Sequence, residues 1–246
     1  MAKSDNKRVV KDVDVFWTDD DIEKIQLKPN LYIQKYGPAG CNHIGREIAQ
    51  NAYDECIDTT SPGENITIRY DKKVDRLTVI DDGRGFPETK FPLDIFCTKI
   101  QSGSKGNRSQ SGGTAGEFGV GMSVTNALAS EFIVKSCRAV EKTIHTIRFV
   151  NGKKVSDVTE KNPKGLHGSE VSFIPNPKYL GRDAHIDFDE FYSWIEKNAY
   201  LLSSEGKKIT VRVEVMDGLK TLKKEVIKTK PFRDLLETIV AKPAVE

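Results

Sequence analysis

Cysteine is scarce in this chain. The 246 residues hold 4 Cys, at 41, 56, 97 and 137, without CxxC spacing and without paired His. That argues against a disulfide framework or a zinc site and for free thiols in a reducing cytoplasm. The 4 His are equally dispersed and suggest no metal site. Long apolar runs are missing too. No stretch approaches the roughly 18 residues a membrane helix needs, and the start MAKSDNKR has no apolar region behind it, so neither a span nor a signal peptide is expected. Excess charge of one sign is also lacking. A net charge of +2 is too small to argue that this segment binds nucleic acid. Internal repeats and a clear linker are not found. What remains is a chain with 30% charged and 37% apolar residues, enough for one large domain with a substantial core or two small ones.

The stretch His43 to Asp58, HIGREIAQNAYDECID, organises the rest. At helical spacing Ile44, Ile48, Ala52 and Cys56 form an apolar stripe, flanked by Ala49, Tyr53 and Ile57, that should face a core. Glu47, Asn51, Asp54 and Asp58 run along another face with Glu55 close by. A carboxylate and an amide one turn apart, Glu47 and Asn51, can point into one pocket; a solvated acidic face is the plainer alternative.

Before this helix, residues 1 to 16 read as a polar arm. Thr18 is a plausible N-cap for a short helix that ends before Lys28-Pro29. Gly37-Pro38 and Gly40 read as a loop. After it, Asn65 to Tyr70 and Arg76 to Ile80 read as a β-hairpin, running into Asp81-Asp82-Gly83-Arg84-Gly85-Phe86-Pro87, a tight turn that a ligand could approach closely. A short helix is expected within Phe91 to Ile100. Gln101 to Glu117 is rich in Gly, Ser, Lys and Thr and leads through Gly119-Val120-Gly121 into a helix over Met122 to Ala129. A glycine loop feeding a helix N-terminus suits a phosphate, although this spacing alone is weak and does not sit in a Rossmann unit. Further strands are expected at Phe132 to Arg138, Thr143 to Val150, Glu170 to Ile174, Ile209 to Val215 and Leu222 to Lys228, with helices at Asp187 to Leu202 and Pro231 to Val240. The pattern predicts an α+β fold: a mostly antiparallel sheet with helices on one face.

In order along the chain, LKPNLYI (27 to 33), EIAQNAYDE (47 to 55), DDGRGFP (81 to 87) and SGGTAGEFGVGMSVTNAL (111 to 128) resemble the ATPase domain of type IIA DNA topoisomerases, the gyrase B and topoisomerase IV type. This branch shares its GHKL, or Bergerat, two-layer α/β sandwich with MutL, heat-shock chaperones and histidine kinases. The resemblance extends over most of residues 27 to 215. It implies that residues 17 to 246 form the ATPase domain, with 101 to 118 as the ATP lid and 1 to 16 as an arm exchanged on dimerisation. It also implies ATP and Mg²⁺ as ligands. Glu47 would be the general base, Asn51 the Mg²⁺ ligand and Asp81 the acceptor for the adenine amino group. Ser169 would hold Asp81 and a water. Arg84 would cover the adenine and pair with Glu55, while Gly85, Phe86 and Pro87 shape the pocket wall. Gly119, Val120 and Gly121 would offer N–H groups to the phosphates, Lys105 would reach them from the lid, and Arg138 would sit at the pocket mouth. Each has a plainer alternative: Asp81 and Arg84 could merely shape a turn, and the Arg84–Glu55 pair could be an ordinary surface contact.

Some positions depart from the family. Gln50 replaces its Asp, Phe86 replaces a branched aliphatic, the glycine loop is longer around Ala115 to Glu117, and the lid lacks the usual Tyr. The family's transducer Lys, TOPRIM domain and DNA-cleaving Tyr are not in this chain, which reads as a truncated fragment that hydrolyses ATP slowly and does not cleave DNA. The expected partners are ATP, a second copy through the ATPase domain, DNA through the full-length enzyme and a DNA-cleaving subunit or region, in the cytoplasm. A nucleotide switch of a MutL-like repair or defence protein, with little turnover, is the alternative. A histidine kinase domain is disfavoured because no phospho-acceptor helix is visible.

Overall fold

The computed structural model describes residues 20–58, 60–86, 93–100, 120–138, 142–199 and 208–228. The arm, the whole glycine-rich segment with the expected lid at 101–118, and the expected helix at 231–240 lie outside these residues. Among the described residues no helix is long and apolar enough to cross a membrane.

Among the described residues the strands form one sheet. Its strands are β1 (Asn65–Asp71), β2 (Arg76–Asp81), β3 (Ala129–Arg138), β4 (Thr143–Val150), β5 (Lys153–Lys161), β6 (Gly168–Pro175), β7 (Thr210–Asp217) and β8 (Lys220–Lys228). They lie in the order β5-β4-β3-β6-β2-β1-β7-β8. Among the described residues only β1 and β7 pair in parallel; every other neighbouring pair is antiparallel. One face carries Ile66, Ile68, Leu77, Val79, Phe132, Val134, Phe149, Phe173, Val211 and Val213, all buried. The other carries Arg69, Arg76, Glu131, Arg148 and Glu214, where Glu131 is held by both Arg76 and Arg148, and Glu214 by Arg69 and Lys224. Alternation along the inner strands therefore separates a dry face from one laced by cross-strand ion pairs.

The helices α1 (Asp21–Leu27), α2 (Pro38–Ile57), α3 (Leu93–Thr98), α4 (Gly121–Leu128), α5 (Pro177–Leu180) and α6 (Phe188–Ala199) accompany the sheet, with α2 and α4 packed on its central strands and on each other. The α2 stripe behaves as expected: Ile44, Ile48, Ala49, Ala52, Tyr53 and Cys56 are buried. Tyr53 stacks on Trp194 of α6 with ring centroids 5.6 Å apart. The α+β class and the helix-covered mixed sheet agree with the sequence.

Four details differ. The cap of α1 is Asp20, whose side chain accepts from Ile22 and Glu23 N–H, rather than Thr18. The helix α2 starts at Pro38, because a proline at the first helical position has no N–H to leave unpaired; Gly37-Pro38 and Gly40 are its entry and first turn, not a loop. The strand β5 and the single turn α5 were not expected. Every residue of β5 is exposed, so it has no buried face to announce it; charged side chains along this sheet edge discourage pairing with another chain.

Candidate functional site

The alternation that buries Leu77 and Val79 also turns Asp81, at the end of β2, toward the core side. This carboxylate is only 7% exposed. It sits opposite Ser169, the second residue of β6. Ser169 donates its hydroxyl to Asp81 Oδ2, and Gly83 N–H donates to Oδ1 at 2.9 Å. Burial raises the Asp81 pKa above the ordinary value, against the pull of these bonds. Two orienting donors leave the carboxylate with spare lone pairs for a ligand.

The turn after β2 is packed against α2 and β3. A Cβ on Gly83 would overlap Glu55 Cγ, so only glycine lets the turn approach α2 this closely. Gly85 has φ +76°, and a Cβ there would lie 2.7 Å from Cys137 O. Arg84 turns outward. Its Nε and Nη2 donate to Glu55 Oε1 and Oε2, both at 2.9 Å, Nη2 also donates to Asp58 Oδ2 at 2.8 Å, and Nη1 donates to Thr60 Oγ1 at 3.1 Å. Glu55 accepts as well from Arg84 N–H and from the Ser61 hydroxyl. Burial pushes the Glu55 pKa up, but these bonds outweigh it and hold the carboxyl below its ordinary value. Bonds from Thr60, joined by Arg84, take Asp58 down to about 2. The Arg84–Glu55 pair anticipated from sequence is thus part of a larger clamp, and most of the guanidinium donors are already engaged. Phe86 N–H donates to Ser136 Oγ at 2.9 Å, Arg138 Nη1 donates to Phe86 O at 3.2 Å, and the Phe86 ring tilts against Phe96. Arg138 therefore braces the wall residue.

On α2, Asn51 lies one turn before Glu55 and Glu47 a turn before that, roughly 12 Å from Glu55 along the axis. Among the described residues neither Glu47 nor Asn51 has a side-chain hydrogen-bond partner, whereas Gln50 is tied to Asp54 at 2.8 Å. Glu47 meets the start of α4: a Cβ on Gly121 would lie 2.5 Å from Glu47 Oε2. The cap residue Val120 makes no side-chain cap bond. First-turn N–H groups of a helix have no intrahelical acceptor and attract anions. Lys105, Pro87 and Gly119 lie outside the described residues. Sequence reasoning put Asp58 on the polar face of α2 but missed Thr60, Ser61, Ser136 and His167, which belong to the site only through register and loop packing.

Together these groups form one ledge along α2: the buried Asp81 acceptor toward one end, and toward the other the Glu47 carboxylate beside the N-terminus of α4, with Asn51 one turn away. Residues 39–175, which contain the whole ledge, match the family described as histidine kinase-, DNA gyrase B-, and HSP90-like ATPase, and the chain belongs to that family. It is 27% identical over 223 residues to the B subunit of DNA topoisomerase 4 from Rickettsia conorii, covering 87% of this chain and 32% of the relative. It is 32% identical over 210 residues to the B subunit of DNA gyrase from Synechocystis sp., covering 81% of this chain and 18% of the relative. The chain thus spans a third or less of those two proteins. Among solved structures it resembles the 43K ATPase domain of Thermus thermophilus gyrase B in complex with an aminocoumarin, with a TM-score of 0.71, 25% identity, and coverage of 92% of this chain and 57% of that one.

Proposed function

We propose that this chain binds ATP with Mg²⁺ and hydrolyses it, as the ATPase part of a type II DNA topoisomerase. The observation that carries the reading is the buried Asp81 carboxylate, oriented by Ser169 and Gly83, on the same helix-lined ledge as Glu47 at the α4 N-terminus. Asp81 is an acceptor for an exocyclic amino group, which suits adenine and disfavours a keto group at the same position. The first N–H groups of α4, together with Val120 and Gly121, receive phosphate oxygens. Glu47 is the general base that orients and deprotonates a water.

Among the described residues no group of three or more His, Cys, Asp or Glu could hold a metal by itself. An amide oxygen such as that of Asn51 suits Mg²⁺, which keeps most of its water and takes one or two protein ligands beside the phosphates. Asn51 Oδ1 would be the protein ligand, and the ion would neutralise charge on the phosphates. Lys105 and Gly119, placed by the family resemblance, would complete the phosphate site. Pro87 would extend the wall that Gly85 and Phe86 begin.

The names of the relatives support the topoisomerase branch over a MutL-like switch. In that reading residues 17–246 act as the ATPase domain, with the lid at 101–118. ATP closes a dimer gate with exchange of the arm at 1–16, and DNA and a DNA-cleaving subunit or region are met through the full-length enzyme. The direct test is calorimetry with ATP and turnover by phosphate release. Glu47→Ala should keep ATP affinity and abolish hydrolysis; wild-type turnover in that variant would remove Glu47 from its role.

A further inference from the structure

We infer that His167 is a positioning residue for adenine recognition, acting through the two peptide groups that flank Gly83. The inference rests on the proposed adenine-nucleotide reading of the ledge. His167 Nδ1 lies 2.6 Å from Asp82 O and 3.0 Å from Gly83 O. Carbonyl oxygens only accept, so the ring proton sits on Nδ1 and is shared between them. In a trans peptide the C=O and the following N–H point in opposite directions. Holding Asp82 O outward aims Gly83 N–H inward at Asp81 Oδ1; holding Gly83 O outward aims Arg84 N–H at Glu55 Oε1, 2.8 Å away.

These two peptides need such a clamp. Asp82 itself is anchored, since its carboxylate accepts from Glu64 N–H, Asn65 N–H and the Asn65 side chain, each at 2.7 Å. Gly83 is the next residue, and without a Cβ it restrains its flanking peptides least. A flipped 82–83 peptide would turn a carbonyl oxygen toward Asp81 in place of an N–H. The adenine acceptor would then lose one orienting donor and face a repelling oxygen.

His167 is delivered by a rigid turn. Asn162 is 2% exposed. Its side chain donates to Leu166 O at 2.6 Å and accepts from Leu166 N–H at 2.9 Å, while its backbone N–H bonds Lys142 O at 2.7 Å. The residue after the histidine, Gly168, passes so close to Asp81 O that a Cβ would overlap it. The path from Asn162 through His167 to Gly83 and Asp81 is thus made of single, named contacts.

The test uses this chain with ATP and GTP in calorimetry, steady-state ATPase kinetics and thermal melting. His167→Ala should weaken ATP about five- to tenfold, the range for one lost hydrogen bond from an exposed ring. The ATP-over-GTP preference should narrow by a similar factor, the loss should fall in KM rather than kcat, and Tm should hold. His167→Asn, which keeps a donor near the Nδ1 position, should restore most of the preference. Asn162→Ala should narrow the ATP-over-GTP preference in the same way, with a lower Tm because its turn loses both side-chain bonds, and the double variant should lose little more ATP affinity than either single one. Unchanged ATP affinity in His167→Ala, equal losses for ATP and GTP, or no rescue by asparagine would overturn the inference. A wild-type chain that binds no adenine nucleotide would instead sink the proposed function, and this inference with it.

Discussion

Replacing Asp81 by asparagine separates recognition from stability. The variant keeps the shape. Its Oδ1 still accepts from Gly83 N–H, and its amide donates to the Ser169 hydroxyl, which can accept as well as donate. In the proposed reading the ligand-facing acceptor becomes a donor opposite the adenine amino group. Loss of a hydrogen bond to a charged acceptor is worth about 1.5–3 kcal/mol, so ATP affinity should fall about 10- to 150-fold. The empty protein should respond in the other direction. Burial holds the Asp81 pKa above its ordinary 3.8 in the folded state. The folded state therefore keeps its proton after the unfolded state has released one, and the stability this gives is lost as pH rises through the folded pKa. Asparagine has no proton to lose, so Asp81→Asn should melt no lower than the wild type at neutral pH. Calorimetry for ATP and differential scanning fluorimetry of the empty chain read the two effects. An unchanged ATP affinity, or a variant that melts several degrees lower, would refute the reasoning.

Gly121→Ala puts a Cβ against the Glu47 carboxylate; phosphate-release assays should show hydrolysis falling at least tenfold while the empty chain keeps its fold by circular dichroism. Asp58→Asn should flatten the acid limb of stability. The wild-type Asp58 pKa drops from 3.8 to about 2 on folding, so its contribution is present above about pH 4 and is lost as pH falls toward 2, and acid titration of the folded fraction compares the two proteins. Gly168→Ala should expand the join between β2 and β6 and lower both Tm and ATP affinity, because its Cβ would overlap backbone at Asp81 O rather than a side-chain end that can move.

The α2 stripe was legible because a 3.6-residue period is written in Ile44, Ile48, Ala52 and Cys56 themselves. Most strands were legible from alternation. The strand β5 was not, since KKVSDVTEK buries nothing and owes its form to pairing with β4. The first turn of α2 was hidden because Gly-Pro and Gly read as loop signals until the helix is seen to begin on the proline. At the site, Glu47, Asn51 and Asp81 stood out through motif order. Ser136, Thr60 and His167 did not, because what places them is the register of β3 against β6 and the packing of turns about 25 to 85 residues apart in sequence. No local pattern encodes that.

The place of β6 between β3 and β2 has a kinetic side. Synthesis from the N-terminus produces the β1–β2 hairpin and the β3–β4–β5 meander first, each with an edge awaiting a partner. The strand that joins them arrives only at Gly168 to Pro175, pairing Asp81 with Ser169 at a separation of 88 residues. Such a closure is a high-contact-order step, slow compared with the hairpins it unites. Until it happens the Asp81 end of the ledge lacks its floor, so in the proposed reading ATP adds no stability to earlier intermediates and acts only once β6 has joined β2. In that reading the nucleotide reports the joining of β6 to β2, and refolding followed by ATP binding should lag behind the gain of secondary structure.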